Sequence, residues 1–259
     1  MNPNASKPGP PCWRRTGRDR LRLVKFLLDD PPFAGIGAGV RIAVIDSGIN
    51  PDNPHVNGFV GGVAIADDGS EHDDLSDRLG HGTAVAAAIQ EKAPAAELHI
   101  VRVFGTTLTT HATNIAHAIE WAAEHGMNVA NLSLGTTKPE SADVLAAALE
   151  SARAAHLRVV SVCFHKDVRW WPGSLPGAIG VVVDEACPRD EIRLDRDVEG
   201  NRVVAASPLP RPIPGVPPER NISGISFAVA NVSGFVARAM GRAGDADMPP
   251  ELADLLASE

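Results

Sequence analysis

The stretch Val40-Arg41-Ile42-Ala43-Val44-Ile45 is followed at once by Asp46-Ser47-Gly48. The first part is an apolar, β-branched run, which predicts a strand buried on both faces of a parallel sheet. Asp46 then stands at the carboxyl end of that strand, where open parallel sheets gather their functional sites. Because Asp-Ser-Gly is also typical of plain turns, its role depends on the rest of the chain.

The pattern around this strand repeats along the chain. Similar apolar runs alternate with Ala-rich helical stretches, which predicts βαβ units and a doubly wound α/β sandwich. We expect further strands near residues 98–103, 128–133, 157–163, 179–183 and 202–205. We expect helices near residues 82–91, 112–125, 141–155, 226–241 and 250–256. Residues 207–220 hold six Pro and are expected to form an irregular loop.

Composition limits the class of protein. The 259 residues are enough for one large domain, and 44% hydrophobic with 22% charged residues is ordinary for a soluble globular protein. No apolar run approaches the roughly 18 residues of a membrane span. Cys12, Cys163 and Cys187 form an odd, sparse set without zinc spacing, which favours a reducing compartment. Cys163 sits in an apolar run and is interpreted as a buried small hydrophobe rather than a nucleophile.

The N-terminal 25 residues are basic, with seven Lys or Arg against one Asp in a chain of net charge −8. Residues 1–12 are expected to be disordered. The arm could be a solvated tail, or it could dock on the acidic body or bind an anionic partner.

Two further segments carry candidate chemistry. Gly80-His81-Gly82-Thr83 opens a predicted helix, with glycines that give close backbone access around the imidazole. Gly224-Ile225-Ser226-Phe227-Ala228 opens another, where Ser226 is either a helix cap or a nucleophile near backbone N–H groups that stabilise an oxyanion.

The order of the three pieces is that of the subtilisin family. Asp at a strand end, then His-Gly-Thr, then Gly-x-Ser-x-Ala before a helix resembles the subtilases, also called peptidase family S8. Three more segments resemble family motifs: Ala93-Pro94-Ala95-Ala96-Glu97-Leu98, Asn131-Leu132-Ser133-Leu134-Gly135 and Pro172-Gly173-Ser174-Leu175-Pro176. The resemblance covers about residues 37–241 and implies a subtilisin-like three-layer sandwich with a central, mostly parallel sheet.

The resemblance implies a serine endopeptidase that works by acyl transfer. Ser226 is then the nucleophile, His81 the general base and Asp46 the residue that orients His81. The implied substrate is a peptide or protein that lies as an extended strand beside Ser133, Leu134 and Gly135.

The family's oxyanion-hole Asn is replaced in this chain. Aligning the strand Val159–Phe164 on the family pattern places His165 at that position, beside the Ser226 backbone. A neutral His can donate one N–H, so His165 is either a substitute donor in a slow, specialised protease or a sign of a pseudo-protease kept for peptide binding. An aspartic protease that uses Asp46 is a third hypothesis, and it would need a second such Asp.

The primary specificity pocket is expected to be shallow. The resemblance assigns its walls to the Ser133–Gly135 strand and to Ser161, Val162 and Cys163. It places Trp170 at the floor and Trp171 at the following aromatic position. A packed site cannot hold both an indole and a bulky substrate side chain, unless a loop shift turns Trp170 away.

The remaining expectations concern context. The family's inserted calcium loop is missing after Gln90, so we expect no metal and no cofactor. We expect a lead-in at 1–36, a peptidase domain at 37–244 and a tail at 245–259. The lead-in is too short for a prodomain and does not resemble a secretory signal, so the sequence predicts a cytoplasmic processing protease of narrow specificity. We expect no nucleic-acid or membrane partner and predict no particular oligomeric state. The six acids in residues 67–77 form either a solvated loop or, because this region borders the substrate subsites in the family, a loop that favours Lys or Arg before the cleaved bond.

Overall fold

A ten-stranded sheet runs through the computed structural model, which describes residues 24–197, 201–241 and 248–257. The strands are β1 Val24–Leu27, β2 Arg41–Asp46, β3 Gly61–Ile65, β4 Glu71–His72, β5 Glu97–Arg102, β6 Val129–Leu132, β7 Arg158–Val162, β8 Phe164–His165, β9 Val168–Arg169, β10 Ala178–Val183, β11 Glu191–Arg196 and β12 Arg202–Ala206. The order in the sheet is β1-β11-β12-β10-β7-β6-β2-β5-β3-β4, and β8 pairs with β9 in a separate hairpin. The seven strands from β12 to β3 run parallel, while β1, β11 and β4 add antiparallel edges.

Helices cover both faces of the sheet. They are α1 His81–Lys92, α2 Ala112–Glu124, α3 Ala142–Ala154, α4 Ile225–Met240 and α5 Pro250–Leu256. The alternation of side chains along β2 divides the core: Ile42 and Val44 pack with α1 and α4, whereas Ala43 and Ile45 pack with α2 and α3. The predicted three-layer α/β sandwich is therefore confirmed.

The sequence patterns located five of the parallel strands beyond β2 and all five helices to within a few residues. They missed β1, β3, β4, β8, β9 and β11. Gly61-Gly62 opens β3, and Gly62 at φ 151° lies so close to β5 that an added Cβ would meet Ile100 O at 1.8 Å. Strand β11 alternates charged and apolar residues because most of it is only partly buried, which hides it from a search for continuous apolar runs.

The segment before β2 is attached to the core. Strand β1 pairs with β11, and Phe33 is fully buried between Phe26 and Phe235, with ring centroids 5.9 and 4.9 Å away. Residues 1–23 lie outside the described residues. They include Cys12, most of the basic arm and the segment 1–12 for which disorder is predicted. The limits proposed for the domains stay a prediction.

The two cysteines within the described residues, Cys163 and Cys187, are free and buried. Burial raises the pKa of the Cys163 thiol to about 12 and that of Cys187 to about 11. Cys163 is therefore the buried small hydrophobe that the sequence predicted. In the described part of the chain, no helix is long and apolar enough to cross a bilayer.

Candidate active site

Asp46 and His81 meet at the carboxyl edge of the sheet. Asp46 is the last residue of β2 and is fully buried, and His81 is the first residue of α1. His81 Nδ1 lies 2.7 Å from Asp46 Oδ1, which also accepts the Ser47 N–H at 2.7 Å. Asp46 Oδ2 is buried without a hydrogen-bond partner among the described residues. The carboxylate thus holds the ring with Nε2 as the nitrogen left for other chemistry.

Two glycines allow this contact. A Cβ on Gly82, in the first turn of α1, would meet Gly48 O at 2.4 Å. Gly48 itself has φ 109°, and a Cβ there would meet Leu75 O at 2.4 Å. The Asp46-Ser47-Gly48 turn and the helix start therefore touch backbone to backbone, which explains why glycines flank the two functional side chains in sequence.

Nearby carboxylates make the His81 ring more basic than a free histidine. Burial lowers the pKa of His81, but the hydrogen bond and charge of Asp46, together with the charge of Asp77, outweigh it and raise the pKa above its ordinary value of 6.5. The imidazolium is therefore stabilised relative to a free histidine, as a proton-accepting role requires.

Ser226 lies on the same cavity as His81. It is the second residue of α4, so its backbone N–H is among those without an intrahelical acceptor. The ring of its neighbour Phe227 is 6.1 Å from the His81 ring, centroid to centroid. Ser226 Oγ donates to Ser133 O at 3.2 Å. Asp46, His81 and Ser226 are thus gathered by three different elements at one edge of the sheet.

The shared cavity has a volume of about 830 Å³. Among the residues proposed from sequence, its lining includes His81, Ser133, Leu134, Gly135, Val162, His165, Trp170 and Ser226. Ser161, Cys163 and Trp171 are not part of the lining. Ser161 is fully buried and donates to Leu134 O at 3.2 Å, while the side chain of Trp171 packs with the α2 and α3 core.

His165 reaches the cavity from a tight hairpin. Strands β8 and β9 are joined by Lys166 and Asp167, both with positive φ, in a two-residue turn. Partial burial and the charge of Lys166 lower the pKa of His165, so the ring is neutral at pH 7. A neutral imidazole has one N–H to donate.

A buried polar network fixes the backbone of Ser226. Ser133 Oγ donates to Ser226 O at 2.9 Å and accepts from Asn131 Nδ2 at 3.0 Å. Asn131 Oδ1 in turn accepts from Ser233 Oγ of α4 at 2.9 Å. The network ties β6 and the segment after it to the first turns of α4.

Asp77 is the site residue whose role the sequence did not reveal. It belongs to the acidic loop expected to be solvated, yet it is half-buried and its two carboxylate oxygens accept five hydrogen bonds from four residues. The only signal in sequence was its position four residues before His81. None of the six acids of residues 67–77, Asp77 included, is in the cavity lining, which carries Glu140 and Lys138 instead.

The sequence of this chain is similar to that of known proteases. Residues 37–164 match the subtilase family, Peptidase_S8. The chain is 37% identical over 139 residues to Subtilisin Savinase of Lederbergia lenta, a segment that covers 48% of the chain and 47% of that protein. It is also 37% identical over 139 residues to an alkaline protease of Shouchella clausii, covering 48% of the chain and 33% of that protein.

Residues 37–164 are subtilase-like. Two solved structures agree at the level of fold: a cold-adapted subtilisin-like serine proteinase (TM-score 0.58, 21% identity, 79% of this chain and 76% of that one) and Sphericase (TM-score 0.63, 23% identity, 79% and 77%). The aligned segment spans less than half of each of the two curated relatives. These matches do not favour the peptide-binding pseudo-protease or the aspartic protease.

Proposed function

We propose that this subtilase-like chain is a serine endopeptidase in which Asp46, His81 and Ser226 form a catalytic triad. The observation that carries the proposal is the 2.7 Å contact between His81 Nδ1 and Asp46 Oδ1 on the wall of the cavity that also holds Ser226. Three such side chains, supplied by β2, α1 and α4, are the parts of a nucleophile–base–orienter set.

The proposed reaction begins when His81 Nε2 takes the Ser226 Oγ proton while Oγ attacks the scissile carbonyl carbon. The Ser226 hydroxyl donates to Ser133 O in this structure, so it must first rotate towards His81. Catalytic hydrogen bonds of this kind often form fully only when substrate is bound. The tetrahedral intermediate then collapses, His81 gives the proton to the leaving amine, and the acyl group stays on Oγ. A water molecule then attacks the acyl carbonyl carbon while His81 takes its proton. His81 returns that proton to Ser226 Oγ as the carboxylic acid product leaves.

We assign the oxyanion to two donors, the Ser226 backbone N–H and the His165 ring N–H. The N-terminus of α4 adds the partial positive charge of its unpaired N–H groups. His165 lines the same cavity as Ser226 and Ile225, which supports this assignment. The donor is a ring on a short hairpin rather than an amide side chain, so we expect slow turnover.

We further propose a narrow specificity for small residues before the cleaved bond. The Trp170 indole lies against Gly135, where an added Cβ would be 3.5 Å from the ring atom Cε3, and it packs on the α1 and α4 core. The indole fills space between the Leu134-Gly135 segment and the hairpin that carries His165. A cytoplasmic, precursor-trimming role agrees with the two free cysteines and remains a proposal.

The test is labelling with a fluorophosphonate probe, which reacts only with an activated serine. Wild-type protein should be labelled and should cleave a peptide library, while Ser226→Ala should do neither and keep its thermal unfolding midpoint. Ser151→Ala, on the exposed face of α3, is the matched control and should label as wild type. Labelling of Ser226→Ala, or no labelling of folded wild type, would refute the proposal and favour a peptide-binding role.

A further inference from the structure

We infer that Asp77 is a positioning residue that assembles the Asp46–His81 pair, through a hydrogen-bonded bridge of Asp77, Ser47 and the first turn of α1. The inference rests on the proposed protease function, because it concerns how the base of that reaction is held. It starts from the hydrogen bonds of one carboxylate.

Asp77 binds both elements that carry the pair. Its Oδ1 accepts from Ser47 Oγ at 2.8 Å, and Ser47 is the residue directly after Asp46. Its Oδ2 accepts from the Thr83 N–H at 2.9 Å and from Thr83 Oγ1 at 2.5 Å, two residues after His81. The same carboxylate therefore holds the turn after β2 and the start of α1.

Ser47 closes the bridge. Besides donating to Asp77, its fully buried Oγ accepts the Gly82 N–H at 2.8 Å. The Gly80 N–H donates to Asp77 Oδ1 at 2.8 Å. Both neighbours of His81 in the chain are thus fixed by hydrogen bonds that lead to Asp77, which leaves His81 little freedom to move relative to Asp46.

Asp77 replaces the side-chain cap that α1 lacks. The N-cap position is Gly80 with φ 77°, and it has no side chain to accept from the first helical N–H groups. A carboxylate at this end also complements the helix dipole. Burial raises the pKa of Asp77, but the bonds from Thr83, Ser47 and Leu79 outweigh it and lower the pKa, so the carboxylate is ionised at neutral pH.

The charge of Asp77 also acts on His81. The charged groups that bear on the ring are Asp46 from β2 and Asp77 from the preceding loop, and both stabilise the imidazolium. Neither carboxylate is in the cavity lining, whose titratable groups besides His81 are His111, Lys138, Glu140 and His165. Two effects of Asp77 are thus separable by experiment: geometry, through Ser47, and charge.

Three variants separate these effects. Asp77→Asn removes the charge and keeps one acceptor oxygen. Ser47→Ala keeps the charge and removes the bridge. Asp74→Asn is the matched control, because Asp74 lies in the same loop and its carboxylate bonds to Ser76, Arg78 and Arg102, with no hydrogen bond to Ser47 or α1 among the described residues. Each variant is checked for a cooperative thermal transition before its kinetics are measured.

The first readout is kcat and KM for a peptide substrate between pH 5 and 9. For Asp77→Asn we expect kcat to fall about tenfold with KM changed less than about twofold, and the acid limb to move down by about half a pH unit or more. For Ser47→Ala we expect a similar fall in kcat with a smaller movement of the limb. Asp74→Asn should match wild type in both.

The second readout does not need turnover. The His81 ring is titrated by NMR in the Ser226→Ala background, its signal identified by loss in His81→Gln. Asp77→Asn should lower the His81 pKa, and Asp74→Asn should not. If wild type neither labels nor cleaves, the proposed function fails, while this titration still decides the role of Asp77.

The inference is overturned if Asp77→Asn keeps the wild-type kcat and the wild-type His81 titration. It is also overturned if Asp74→Asn shifts both as strongly, since the effect would then be general loop charge. If Asp77→Asn does not fold, Ser47→Ala decides: a wild-type kcat in that variant would remove the bridge from the mechanism.

Discussion

Thr136 and Trp171 exchange two backbone hydrogen bonds, Thr136 N to Trp171 O at 2.9 Å and Trp171 N to Thr136 O at 2.8 Å. This bridge holds the end of the Ser133–Gly135 segment against the tryptophan pair. As a result the Trp170 ring lies against Gly135, and the cavity wall and its bulky neighbour are fixed relative to each other.

This arrangement predicts a preference for small residues before the cleaved bond. Wild type should cleave an Ala substrate with a higher kcat/KM than the matching Phe substrate, because the indole occupies the space that a large side chain needs. Trp170→Gly should reverse or strongly reduce that ratio. The filled pocket is wrong if wild type already prefers Phe, or if Trp170→Gly leaves the ratio unchanged.

Replacement of His165 should lower kcat and leave KM nearly unchanged. If its ring N–H binds the oxyanion, His165→Ala should lower kcat by about 10²–10³ with little change in KM, the loss seen when subtilisin itself is deprived of its Asn donor. His165→Asn should retain or raise activity. Lys166→Ala, on the same hairpin turn, is the control for local disturbance. An unchanged kcat in His165→Ala would place the donor elsewhere.

The pH dependence of activity follows from His81. The base must be neutral to accept the Ser226 proton, and its pKa is raised above 6.5 because Asp46 and Asp77 outweigh burial. The acid limb of kcat/KM should therefore have its midpoint above pH 6.5. A midpoint below 6.5 would contradict the role given to these carboxylates.

A different histidine should control stability in mild acid. Burial, followed by the charge of Arg41, lowers the pKa of His99 below 6.5, and its Nε2 is buried without a partner among the described residues. The unfolded chain then binds more protons than the folded one as pH falls below 6.5, so stability is lost on the way down through the folded pKa.

The His81 contribution runs the other way. Its raised pKa gives stability that is complete below pH 6.5 and is lost as pH rises through the folded value.

Because the lowered pKa of His99 favours unfolding in mild acid, His99→Gln should reduce the loss of unfolding free energy between pH 7 and 5. His156→Asn, at an exposed position with φ 56°, is the control and should behave as wild type. Equal acid sensitivity in His99→Gln would exclude His99 as the cause.

The segment before β2 should contribute to stability. Phe33→Ala removes a fully buried ring that packs edge-on against Phe26 and Phe235, and we expect a loss of about 3–5 kcal/mol in unfolding free energy. Ile36→Ala, three residues later with Ile36 51% exposed, should cost under about 0.5 kcal/mol. Urea unfolding of both variants measures the difference, and equal values would show that this segment is not part of the cooperative unit.

Sequence by itself determined the parallel core and the identity of the chemical groups. Strands β2, β5, β6, β7 and β10 are buried on both faces, and burial on both faces leaves a continuous apolar run that can be read locally. The proposed site residues Asp46, His81 and Ser226 could also be predicted locally, because glycines and helix starts beside such side chains leave a short motif.

Only the tertiary structure revealed the contacts between residues that are far apart in the sequence. The antiparallel strand β11 carries no continuous apolar run, and Phe33 packs on Phe235, which is 202 residues away in the chain. Asp77 looked like one acid among six, since charge density is visible in sequence but hydrogen-bond partners are not. Its five bonds, the contact of Trp170 with Gly135 and the turn that aims His165 depend on which backbones the sheet brings together. Such contacts are set by packing over the whole domain, and no local pattern encodes them.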